Sequence, residues 1–242
     1  MRLLEGDNIT KHFGGLAALH KVDFFVDEGE IVGLIGPNGA GKTTLFNVIA
    51  GTFPPTSGTM KFSGEDITGR KPYKICRLGI ARTFQIPKPF PGMDVYENVR
   101  AVSVFGGGAG VDIDGLLEKF GLADKRHALA SSLSVFELRM LEIARDLATK
   151  PKLLLLDEVM AGLNPRETML INDIVRGLRD SDITILLIEH NMRATMGLSD
   201  RIIVLDQGRK IADGQPEAVC NDPQVIEAYL GEKLCLTGEG AR

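Results

Sequence analysis

Gly36-Pro37-Asn38-Gly39-Ala40-Gly41-Lys42-Thr43 decides the reading of this chain. The stretch fits G-x-x-x-x-G-K-S/T without a gap. It follows Ile31-Val32-Gly33-Leu34-Ile35, an apolar run of strand length, and opens an apolar segment from about Thr43 to Ala50. That segment predicts a helix ended at Gly51. A strand, a glycine loop and a helix in this order predict a loop that cradles phosphates. Glycines let the backbone curl so that successive N–H groups point inward, and the helix adds its positive N-terminal end. Gly36, Pro37, Asn38, Gly39, Ala40, Gly41, Lys42, Thr43 and Thr44 are therefore the candidate nucleotide-binding residues. Lys42 supplies a point charge for the β- and γ-phosphates, and the Thr43 hydroxyl a hard oxygen ligand for Mg²⁺.

Working outward, residues 3–9 and 20–27 alternate apolar and polar and predict antiparallel strands. Downstream, turns at 54–58 and 63–66 flank a short strand, Thr59–Phe62. Residues 88–150 read as mostly helical, broken at Gly106-Gly107-Gly108 and at Gly121. A strand at 153–157, a helix near 165–179, a strand at 183–188, a helix at 191–197 and strands at 201–205 and 209–213 follow. Strands alternating with helices imply a largely parallel sheet covered on both faces. The polar, glycine-containing stretch 231–242 is expected to fray.

Leu153-Leu154-Leu155-Leu156-Asp157-Glu158 reads as a buried strand ending in two acids. In a parallel sheet, ligands sit beyond the carboxyl ends of the strands, so both acids would emerge beside the phosphate loop. Asp157 is the candidate metal ligand, acting through water. Glu158 is the candidate general base for the water that attacks the γ-phosphate.

Composition narrows the class. Of 242 residues, 44% are apolar, enough for one large α/β domain with a sizeable core. No apolar run reaches the roughly 18 residues of a membrane span, and the first residues show no leader pattern. A net charge of −4 argues against a general nucleic-acid binder. Three cysteines, Cys76, Cys220 and Cys235, and four histidines lack metal-ligand spacing, which suits a reduced cytosolic protein.

Several runs carry a resemblance to the ATP-binding subunits of ABC transporters. They are Gly36–Thr44, 79–85 (GIARTFQ), 161–165 (AGLNP), 188–192 (IEHNM), 200–205 (DRIIVL) and 222–230 (DPQVIEAYL). Within that family the chain looks most like the subunits of branched-chain amino-acid importers. The resemblance implies an α/β fold: a P-loop NTPase core with a mostly parallel sheet, an antiparallel β subdomain and an inserted helical subdomain. As one domain over 1–242, the core would comprise 1–87 and 151–230, the helical subdomain 88–150 and the tail 231–242. It also implies an ATPase that uses ATP and Mg²⁺ at the inner face of the cell membrane. Its partners would be transmembrane subunits, a second ATPase subunit in a head-to-tail ATP sandwich and, indirectly, an external solute-binding protein, with no nucleic acid. Gln85 would contact the metal or the attacking water, and His190 the γ-phosphate. Phe13 is either an adenine-stacking aromatic or plain core. Residues 161–164 would lie at the dimer interface.

The chain departs from the family in two places. Where the signature reads Leu-Ser-Gly-Gly-Gln, this chain has Leu133-Ser134-Val135-Phe136-Glu137. Phe136 blocks close backbone approach to a phosphate, and a carboxylate at 137 repels it. Ser134 survives as a candidate nucleotide contact, yet S-x-x-E is equally a capping box that closes a helix start. Val159 stands where the family has proline. The altered signature favours a heterodimer in which a partner supplies an intact signature, a homodimer staying possible. It also permits an alternative, a nucleotide-binding regulator with weak turnover.

Overall fold

The computed structural model describes residues 1–189 and 191–229. The chain opens with two long strands, β1 (Arg2–Phe13) and β2 (Leu16–Asp27). Both run further than the alternation at 3–9 and 20–27 predicts. Asn8 and Lys21 take positive φ beside shifts in the β1–β2 register, and these bulges let pairing resume where the pattern breaks. After β3 (Ile31–Ile35) and α1 (Lys42–Ile49), β4 (Ser57–Phe62) and β5 (Glu65–Asp66) complete an antiparallel sheet in the order β2-β1-β4-β5.

Two elements then appear that the sequence pattern did not announce. Helix α2 (Pro72–Leu78) starts with a proline in its first turn and ends on Gly79 in the left-handed region. Strand β6 (Ile80–Arg82) is three residues long and pairs in parallel with the later strand over Leu153–Leu155. Helices α3 (Val95–Gly106), α4 (Ile113–Lys119) and α5 (Val135–Leu147) follow, with short 3-10 turns at Ala123–Lys125 and Ala130–Ser132.

The rest alternates strands and helices: β7 (Leu153–Asp157), α6 (Pro165–Arg179), β8 (Thr184–Ile188), α7 (Met192–Leu198), β9 (Arg201–Asp206), β10 (Arg209–Gly214), α8 (Pro216–Cys220) and α9 (Pro223–Ala228). The main sheet has the order β10-β9-β3-β8-β7-β6. Every neighbour in it is parallel except β10, which turns back on β9 through Gln207-Gly208, both at positive φ.

Strands β3, β7 and β8 are buried at every position, as expected for a sheet covered on both faces. Alternation along β7 divides the core. Leu153 and Leu155 join the cluster that holds Phe24, Phe46 and Met60, between this sheet, α1 and the antiparallel sheet. Leu154 and Leu156 join the opposite cluster, with Val99, Leu117 and Met140 of the helical segment. Phe46 is wholly buried and contributes about 2–3 kcal/mol. Among the described residues, no helix is long and apolar enough to cross a membrane. This packing brings the loop after β3 and the acids ending β7 to the same carboxyl edge of the sheet.

Candidate functional site

The glycine loop is shaped by steric demands that only glycine meets. Gly36 sits at φ +150°, and a Cβ there would lie 2.0 Å from the Leu205 carbonyl oxygen. Gly41, at φ +103°, would place a Cβ 2.6 Å from the Ala18 carbonyl oxygen. The loop thus wedges between β2 and the β9–β10 turn, and Gly208 N–H donates to the Ala40 carbonyl at 3.0 Å. Helix α1 starts from Gly41 with no side-chain cap and no acid in its first turn. Its positive end therefore faces the cleft with no cap or acid of its own. Lys42 lies buried within the loop, where Nζ donates to the carbonyls of Gly36 (2.6 Å) and Pro37 (3.0 Å).

A cleft of about 750 Å³ opens over this helix end. Residues 38–44 form its floor, Leu16, Ala17 and Ala18 of β2 one wall, and Gln85, Glu158 and Gln207 the rest. Asn38, Gly39, Ala40, Gly41, Lys42, Thr43 and Thr44 thus share the cleft with Gln85 and Glu158. Gly36 and Pro37 lie behind it as the carbonyls that hold Lys42.

Glu158 follows β7 at φ +53°, a left-handed conformation that turns its side chain away from the strand direction. Such backbone costs a non-glycine residue about 1–2 kcal/mol and persists only where its surroundings hold it. Here the Glu158 N–H donates to the Ile188 carbonyl at 2.9 Å. Gln85 Nε2 donates to Glu158 Oε2 at 2.7 Å, which leaves the Gln85 amide oxygen for another partner. Val159 is buried against the core and so anchors the same turn without a proline.

Asp157 is 2% exposed and does not line the cleft. Arg82 Nη2 pairs with its Oδ2 at 2.8 Å, while Nη1 donates to Asn47 at 2.8 Å. The Thr83 hydroxyl accepts from the Asp157 N–H at 2.9 Å. The sequence reading had no role for Arg82; its place three residues before Gln85 was the only available hint. Glu189 was equally unforeseen. Burial, with the nearby charges of Glu158 and Asp157, pushes its carboxyl up to about 7, and Oε1 accepts from the Met160 N–H at 2.9 Å. His190 lies outside the described residues.

Hard oxygen donors suited to magnesium are present in the Thr43 hydroxyl and the Gln85 amide oxygen at the cleft, with the Asp157 carboxylate behind. Among the described residues, no group of three or more His, Cys, Asp or Glu side chains could hold a metal alone. A magnesium ion would therefore depend on these donors together with the phosphates of a nucleotide.

Besides Gly36, Pro37 and Asp157, the candidates Phe13 and Ser134 are also absent from the cleft lining. Phe13 packs edge-on against Phe53 at 5.2 Å, with Lys11 Nζ over both rings, and is half exposed. The wall nearest it is made by Leu16–Ala18 instead. Ser134 caps α5: its hydroxyl accepts from the Glu137 N–H, and Glu137 Oε2 accepts from the Ser134 N–H at 2.9 Å. Both arms of the capping box are formed. Glu137 also pairs with Lys125 at 2.6 Å, which holds its carboxyl below the usual range. Phe136 packs half-buried against the helical core.

Comparison with known proteins agrees with this geometry. A family model described as ABC transporter matches residues 19–161, and one described as branched-chain amino acid ATP-binding cassette transporter matches 209–234. The chain is 42% identical to the high-affinity branched-chain amino acid transport ATP-binding protein LivG of Salmonella typhimurium, over 95% of this chain and 98% of that one. It is 39% identical to BraF of Pseudomonas aeruginosa, which bears the same description, over the same shares. Among solved structures, an ATP-binding cassette of an ABC transporter in its ADP conformation superposes with a TM-score of 0.87 at 34% identity. That match covers 96% of this chain and 100% of the other.

Proposed function

This chain belongs to the ABC transporter ATP-binding family and is an ATPase subunit, and on that premise we propose that it powers import of branched-chain amino acids or related polar solutes. The observation that carries the site assignment is the Gln85–Glu158 pair facing Lys42 and Thr43 across one cleft. The loop N–H groups and the α1 N-terminus receive the phosphates, and Lys42 adds its charge. Thr43 and the Gln85 amide oxygen would hold magnesium, and the Asp157 carboxylate behind them would add negative charge that favours the cation. Magnesium, when bound, neutralises charge on the β- and γ-phosphates. Glu158, held by Gln85, polarises the water that attacks the γ-phosphate. By resemblance His190 contacts the same phosphate.

The partners are assigned on similar grounds. We take 88–150 as a helical subdomain inserted between core segments 1–87 and 151–230. An apolar groove of about 470 Å³ lies between α2 and α3, lined by Tyr73, Cys76, Phe90, Met93 and Phe105. We assign it as the seat of the transmembrane subunits, which places the chain peripherally on the cytoplasmic face. An external solute-binding protein acts only through those subunits. We assign the second ATPase subunit to a different chain with an intact signature, because the start of α5 is closed by its own capping box. The regulator reading is not favoured, since the similar proteins are transport ATP-binding subunits.

Turnover of MgATP by the wild type and by Glu158→Gln, each reconstituted with its membrane partners, tests the assignment. The substitution is expected to lower kcat by about 10²–10⁴-fold. Equal turnover in the two proteins would remove Glu158 as the base.

A further inference from the structure

Helix α5 grips the loop that carries Gln85. Arg139 and Glu142 are 3% and 5% exposed and sit one helical turn apart. Arg139 Nη1 donates to the Phe84 carbonyl at 2.8 Å, and Nη2 to the Gln85 carbonyl at 2.6 Å. Glu142 Oε1 accepts from the Phe84 N–H at 2.8 Å, and Oε2 faces Arg139 Nη1 at 3.4 Å. Further along, Arg145 Nη1 donates to the Lys88 carbonyl at 2.9 Å. After Thr83 N–H bonds to Leu155 of the sheet, the chain therefore leaves β6 and is held by α5 side chains.

A buried Arg–Glu pair is an expensive way to fill a core, because an apolar pair of the same volume packs as stably or better. What an apolar pair lacks is the planar fork that fixes two adjacent carbonyls at once. The clamp holds the carbonyl of Gln85, the residue whose side chain bonds Glu158.

We propose that Arg139 and Glu142 are positioning residues, which lock the Phe84-Gln85 backbone so that Gln85 holds Glu158 in its hydrolytic orientation. Through them α5 governs the site of its own chain, although its N-terminus is closed. The proposal rests on the assignment of Glu158 as the base.

The test is a cycle of four reconstituted transporters: wild type, Arg139→Lys, Gln85→Ala and the double variant. Lysine keeps the charge and loses the fork. Arg139→Lys is expected to lower kcat by about ten- to a hundredfold, with the KM for ATP within about twofold. In the Gln85→Ala background the same substitution is expected to cost nothing further, because the two act in series. Losses that multiply, or a KM effect at unchanged kcat, would overturn the proposal, since a merely structural role predicts them. A wild type that turned over no ATP would defeat the reading of Glu158 instead. Hydrogen exchange then decides the clamp by itself. The Phe84 amide should be protected in the full-length wild type and exchange at least about tenfold faster in Glu142→Ala, while α1 amides stay unchanged. A Phe84 amide that exchanged freely in the wild type would refute it.

Discussion

Helices α1 and α5 begin in opposite ways. Each helix start leaves backbone N–H groups without partners and carries the positive end of the dipole. At α1 the residue before the first turn is Gly41, which offers no side chain, and no acid stands in that turn. At α5, Ser134 takes one N–H, Glu137 reaches back to another, and its charge already sits against the dipole with Lys125 beside it. The first start keeps its donors and its field for an anion, while the second spends both internally. An anion site at a helix start therefore needs more than the helix. It needs a cap that gives nothing, which glycine is and S-x-x-E is not.

Closing the open start is the severest way to break this contrast. Thr44 holds in α1 the helical position that Glu137 holds in α5, and it lines the cleft. Thr44→Glu would put a carboxylate where phosphates are to bind. At contact distances such repulsion amounts to about 1–4 kcal/mol, so affinity for ADP should fall at least about fivefold. Calorimetric titration of the two proteins measures it, and an unchanged affinity would mean that the α1 terminus is not where the nucleotide is held.

Opening the closed start has a smaller expected effect. Replacing Val135, Phe136 and Glu137 by Gly, Gly and Gln restores close backbone approach, and the assembled transporter should gain about two- to tenfold in turnover. The two glycines should lower stability by about 1–2 kcal/mol, read by urea denaturation. No gain in turnover would show that the start of α5 does not limit hydrolysis.

The same contrast shows which parts of the molecule a sequence displays. The α1 start was legible because all its determinants are adjacent: a buried strand, glycines at forced φ angles, Lys42 and Thr43. Strands β7 and β8 were legible as unbroken apolar runs. The capping box was legible too, but not whether a phosphate contact at Ser134 overrode it. Helix α2 escaped notice because only Ile75 is buried among its residues, so no apolar stripe forms. Strand β6 is a strand only because β7 pairs with it. Arg82 meets Asp157 across 75 residues of sequence, and Arg139 meets Gln85 across 54, distances at which no local pattern survives. Phe13 reads as either a base-stacking aromatic or core, and its edge-on contact with Phe53, forty residues on, is one that no local pattern displays.

The mildest test separates charge from shape at α5. Glu137→Gln keeps the capping-box geometry, since glutamine fills that position as well, and removes only the charge. The Lys125 ammonium first, and then the Ser134 N–H, hold the Glu137 carboxyl below its ordinary value of 4.5. A carboxyl lowered on folding contributes stability that is fully present above its unfolded value, and lost as pH falls through the lowered one. The pair lies at the surface, where water screens it, so at neutral pH the wild type should exceed Glu137→Gln by only about 0.5 kcal/mol or less. That margin should shrink below pH 4.5 and vanish once the carboxyl is protonated, as urea denaturation at neutral and acid pH would show. Affinity for ADP should not change at all, in contrast to Thr44→Glu. If the margin persisted in acid, packing of the first turn, and not the charge of Glu137, would be what keeps the α5 terminus shut.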